Sequence, residues 1–82
     1  MALNMNKVVY LYFDCFNNIL EEGDDIVISI SNKLHYGIVL ECTNDYILID
    51  YQSYKNGKEI SRSKKIAPDA LNCYLSNIYK VK

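Results

Sequence analysis

The chain has 82 residues, half of them hydrophobic, with three glycines and a net charge of −1. That is one small domain, 1–82, with room for five or six strands and one helix, and too short for a dinucleotide-binding unit or a separate substrate domain. The apolar content excludes disorder, and eight tyrosines with no tryptophan suit a thin fold whose ring tips stay near water.

In chain order, residues 1–6 read as a loose end and 7–13 as a first strand. Val9, Leu11 and Phe13 then lie on one side, with Val8, Tyr10 and Tyr12 on the other. Asn17-Asn18 breaks this run, and Gly23 is the expected positive-φ residue before a central meander. Residues 23–51 hold three alternating apolar runs. Ile26, Ile28 and Ile30 oppose Asp25, Ser29 and Ser31; Tyr36, Ile38, Leu40 and Cys42 oppose His35, Gly37, Val39 and Glu41; Ile47, Ile49 and Tyr51 alternate with Tyr46, Leu48 and Asp50. Ile28, Ile38 and Ile49 are expected in the core. Ser31-Asn32-Lys33 and Thr43-Asn44-Asp45 carry the turn chemistry between the runs.

Beyond Tyr51, Lys55-Asn56-Gly57-Lys58 predicts a two-residue hairpin, since both central residues tolerate φ > 0. Residues 59–63 would return as a polar edge strand. Pro68 predicts a helix start, and Leu71, Tyr74, Leu75 and Ile78 form an i, i+3, i+4, i+7 stripe. The expectation is a helix over about 68–78, packed on the sheet or capping a barrel end. A short strand would follow over 79–82.

Charge divides along the chain. Residues 1–50 hold two lysines and eight carboxylates (−6), and residues 51–82 hold seven cations and two carboxylates (+5). The acidic block centres on Asp14, Glu21, Glu22, Asp24 and Asp25, the basic one on Lys55, Lys58, Arg62, Lys64 and Lys65. Such a dipolar domain could bind a charged partner or form a homo-oligomer, and the alternative is that both blocks are solvated loops. Cys15, Cys42 and Cys73 are scattered, and His35 is the one histidine, so no metal site of the usual ligand set is expected and no cofactor is implied. Unpaired cysteines, no leader-like start and no apolar run near 20 residues point to a reducing, cytoplasmic setting away from membranes. The Asn, Ile, Lys and Tyr content with one arginine is typical of an AT-rich genome, such as a low-GC bacterium or its phage.

The order of Gly23-Asp24, strand, turn, a strand bearing Gly37-Ile38-Val39, hairpin and strand resembles the SH3-like small barrels, among them KOW-type and Sm-like modules. The resemblance implies a mainly β, SH3-like barrel of five or six antiparallel strands with one short C-terminal helix. Gly23-Asp24-Asp25-Ile26 followed by His35-Tyr36-Gly37-Ile38-Val39 resembles the histidine segment of permuted papain-like proteins, the lecithin:retinol acyltransferase-like group. That resemblance implies a Cys-His thiol hydrolase or acyltransferase with Cys73 as nucleophile, His35 as base and Asp50 orienting it.

Three functions therefore stand open. The first is a non-catalytic binding module for a protein or nucleic-acid partner, including a phage-type inhibitor that occludes a host complex. Its contact residues would be Glu21, Glu22, Asp24 and Asp25 on the acidic side, or Tyr51, Tyr54, Lys55, Lys58, Arg62, Lys64 and Lys65 on the basic side. The second is the thiol enzyme. The third is a nucleic-acid-binding barrel that uses the basic hairpin 55–65, with lysines on phosphates and tyrosines on unpaired bases.

Overall fold

β-branched residues alternating with polar ones become seven strands in the computed structural model, which describes residues 9–81. They are β1 (Leu11–Phe13), β2 (Asp25–Ile30), β3 (Lys33–Cys42), β4 (Ile47–Lys55), β5 (Lys58–Ile66), β6 (Asn72–Tyr74) and β7 (Ile78–Lys80). Five form one antiparallel sheet in the order β5-β4-β3-β2-β7, while β1 and β6 pair in parallel as a separate layer. The expected end at 1–6 and residues 7 and 8 of the expected first strand lie outside the described residues, as does Lys82.

Residues directly opposite in an antiparallel pair share a face, so the registers sort every side chain of the large sheet. The inner face carries Ile26, Ile28, Val39, Ile47, Ile49 and Ile78, all at most 1% exposed. Tyr12 and Cys73 of the small layer, with Leu20 and Leu75, complete this core. Tyr12 is anchored at its tip, its hydroxyl donating to Thr43 O at 2.8 Å. Full burial of each aliphatic side chain is worth about 1.5–3 kcal/mol relative to exposure, which makes this cluster the main source of stability.

Three expectations are corrected. Residues 68–78 contain no helix: they run through a bend, β6, a turn closed by Ile78 N donating to Leu75 O at 3.2 Å, and the start of β7. The apparent stripe is not a face, because Leu71 and Tyr74 are 51% and 59% exposed while Cys73 and Leu75 alternate into the core. The main-chain groups of this segment pair with β1 instead, Leu11 N donating to Leu71 O and Leu75 N to Phe13 O, both at 2.8 Å. Second, the sheet is open and does not close into a barrel, with β5 and β7 at its edges. Third, Ile38 lies on the outer face, half-buried, and Val39 occupies the core position. A bulge between Val39 and Glu41 then turns Cys42 back inward opposite Ile47.

The edges differ. Along β7, Asp14 covers the free side: its carboxylate accepts from Lys80 N at 2.8 Å, and Cys15 N donates to Ile78 O at 2.8 Å. Among the described residues β5 has β4 on one side and no strand on the other. The Asn56-Gly57 turn, φ 53° and 78°, is the expected left-handed pair and sets Lys55 opposite Lys58. Ser31 and Asn32 turn the β2–β3 hairpin in the same way, φ 51° and 64°, without a glycine.

Candidate functional site

The thiol constellation is not assembled. His35 lies opposite Ile28, on the inner face, whereas Asp50 lies opposite Ile38, on the outer one. A strand's thickness separates them, so Asp50 cannot orient the imidazole. The His35 ring instead bonds through Nδ1 to Gln52 O at 2.9 Å and tilts against the Tyr51 ring, centroids 5.3 Å apart. Cys73 sits in β6 within the core, 3% exposed, and burial pushes its thiol above the ordinary value. A nucleophile needs the opposite, a lowered pKa and access. The strand that carries Cys73 supplies neither. Cys42 is also held in the thiol form, pushed up to about 11 by burial and by Glu22, Asp24 and Glu21.

The acidic entry is largely engaged within the fold. Asp24 Oδ2 accepts from Glu21 N at 2.8 Å and pairs with Lys80 Nζ at 3.3 Å, and Glu22 Oε2 accepts from Cys42 N at 3.4 Å. Asp25 faces outward, opposite Ile38. The entry is thus a brace between the β1–β2 connection, β3 and β7.

The basic hairpin is different. The unbroken β4–β5 register from Ile47↔Ile66 to Lys55↔Lys58 sorts its charges by face. Lys55, Lys58, Arg62 and Lys64 all lie on the inner face, with Tyr51, Ser53 and Ile60 between them. Lys33, opposite Ile30, joins the same face from β3. The carboxylates of β2–β5, namely Asp25, Glu41, Asp50 and Glu59, all lie on the outer face. One side of the ribbon is therefore cationic without a strand carboxylate, and the five cations are exposed. Lys55 opposite Lys58 sets like charges together, which costs stability.

Two residues grouped with this hairpin in sequence leave it. Lys65 is outward, opposite Leu48, its ammonium 4.6 Å above the Tyr46 ring. Tyr46 in turn donates to Glu41 Oε1 at 2.6 Å, and that bond holds the phenol above its usual pKa. Tyr54 is outward too, opposite Glu59 and 71% exposed. Conversely, Lys33 and His35 belong with the cationic face and were not grouped there from sequence. For the hairpin itself the signal was present, since the two-residue turn at Asn56-Gly57 makes 58, 60, 62 and 64 one face by parity. Lys33 and His35 join that face only through the two-residue turn at Ser31-Asn32.

Above Gly37 the sheet forks. The β3–β4 ladder ends at Gly37↔Tyr51, while β2–β3 pairing continues to Ile30↔Lys33 and β4–β5 pairing to Lys55↔Lys58. At the crotch β3 lies hard on β4: a Cβ on Gly37 would come 2.6 Å from Asp50 O and 3.1 Å from Tyr51 Cβ. Beyond it the strands diverge around a cavity of about 270 Å³.

Among the described residues no group of three His, Cys, Asp or Glu side chains could hold a metal ion, and no helix is long and apolar enough to cross a membrane. No protein-family model, curated protein or solved structure matches this chain.

Proposed function

We propose that the protein is a non-catalytic binding module that holds the phosphate backbone of a nucleic acid on the inner face of the β4–β5 ribbon. The observation that carries this reading is the sorting of charge by face, with Lys33, Lys55, Lys58, Arg62 and Lys64 on one side and the strand carboxylates on the other. Lysine and arginine meet phosphates as charges and release condensed counterions. A two-stranded ribbon is also narrow enough to follow a groove or a single strand. The overall charge of −1 does not oppose this, because the local field at the ribbon is set by the groups within about 10 Å. We further read the meander as SH3-like in strand order. Its Gly23-Asp24 entry is tied to β3 by Gly23 N donating to Val39 O at 2.8 Å and Val39 N to Asp24 O at 2.9 Å.

The test is fluorescence anisotropy of a labelled oligonucleotide at several salt concentrations. Affinity should fall steeply with salt, and the double variant Lys58→Ala with Arg62→Ala should flatten the log–log slope by roughly 1.5, at ~0.7–0.9 for each phosphate no longer neutralised. Lys65→Ala, on the other face, should leave the slope unchanged. Absence of binding at low salt, or equal effects of Lys65 and Lys58 substitutions, would sink the reading.

A further inference from the structure

We infer that the fork between β3 and β4 is a base-binding slot, in which a single strand held on the cationic face inserts one unpaired base. This rests on the ribbon reading above and specifies its ligand as single-stranded nucleic acid. The slot is bounded by two strand edges that do not pair with each other, Leu34–Tyr36 on β3 and Gln52–Tyr54 on β4. Its volume, about 270 Å³, is below the ~300–1,000 Å³ of pockets for drug-sized ligands and suits a single planar ring system.

The lining has the chemistry a base requires. Tyr36 and Tyr54, 74% and 71% exposed, flank the slot and offer ring faces for stacking. Gln52 and Glu59 supply hydrogen-bonding groups for a base edge, and Gln52 is steadied by its Nε2 donating to Ser61 Oγ at 3.2 Å. Lys33 and Ser53 reach the slot from the inner, cationic face, whereas Tyr36, Gln52, Tyr54 and Glu59 reach it from the outer one. A base attached to a phosphate on the cationic face therefore enters between the two strand edges to meet them. The His35 bond to Gln52 O and the close approach at Gly37 fix the floor of the fork. A paired base is stacked within its duplex and cannot enter such a slot without being extruded.

The experiment uses the full chain and three labelled ligands of equal length: oligothymidine, its duplex with oligoadenosine, and an abasic sugar-phosphate strand. Oligothymidine should bind about tenfold more tightly than the other two, the scale of one base stacked on an aromatic ring. Tyr54→Ala should bring oligothymidine down to the abasic affinity while leaving abasic binding unchanged, and Tyr54→Phe should restore it. Tyr54 is solvent-exposed, so the variant should melt at the wild-type temperature. Equal affinity for all three ligands, or no response to Tyr54→Ala, overturns the slot and leaves the ribbon reading standing. No binding of any ligand at low salt overturns both.

Discussion

Asp14 shows how one buried charge can organise a small fold. It is 1% exposed, and burial alone would raise its pKa. Four hydrogen bonds outweigh that penalty: Phe16 N at 2.9 Å and Asn18 N at 2.8 Å to Oδ1, with Asn18 Nδ2 at 3.2 Å and Lys80 N at 2.8 Å to Oδ2. The carboxyl is therefore held below its ordinary value. A carboxylate with a lower pKa folded than unfolded stabilises fully above the unfolded value of about 3.9, and that contribution is lost as pH falls through the folded value. Asp14→Ala, which leaves three main-chain donors short of a partner, should cost roughly 3 kcal/mol or more at neutral pH. Urea denaturation at pH 7 and pH 3 checks this. The gap between wild type and variant should narrow at the lower pH, and a gap independent of pH would count against the ionised form.

At the level of elements, β6 is the place where local pattern and tertiary structure part. Pro68, Asp69 and the 71/74/75/78 spacing satisfy every local rule for a helix. Cys73 and Leu75 also alternate, however, and a three-residue strand is too short for alternation to win by inspection. The decision came from a partner far away in sequence, since β1 offers Leu11 N and Phe13 O to this segment. The three meander strands were legible because each is long and each alternates, and the Asn56-Gly57 hairpin because its chemistry is local. The sorting of charge by face was also legible, once that turn had set the register. Unreadable were the bulge after Val39, which returns Cys42 to the inner face, and the fork beyond Gly37. Ile38 lies outward because the β2–β3 turn has two residues, Ser31 and Asn32, where three were expected, and that shifts β3 by one position. The burial of β6 has a chemical consequence. With Ellman's reagent at pH 8, native protein should show one fast thiol, the exposed Cys15, while Cys73 and Cys42 react only on unfolding. Fast modification of Cys73 in the native state would mean that β6 is not seated against β1.

Over the whole molecule, the divided charge of the chain becomes a charge divided by layer. The acidic block braces the packed end, and the cations line the inner face of a ribbon beyond the core. Exposed aromatic residues gather on the opposite side, where Tyr36 and Tyr79 flank Val27 in one row and Phe16 meets Tyr79 edge-on at 5.5 Å. The same ribbon presents β5, nine residues long, with its outer hydrogen-bonding edge open. Such an edge is a template on which another chain's strand can add, and natural proteins defend it with charge. β5 carries Lys58, Arg62, Lys64 and Lys65 against Glu59 alone, so two copies approaching edge to edge repel each other. The cations thus govern colloidal behaviour as well as recognition. Replacing Lys58, Arg62 and Lys64 together by alanine should leave the melting temperature near wild type, because all three are exposed, yet cause concentration-dependent aggregation with a gain in thioflavin T fluorescence. Strong salt, which screens the same repulsion, should push the unmodified protein in that direction, and a triple variant that stays monodisperse would show that the open edge is guarded by something other than its charge.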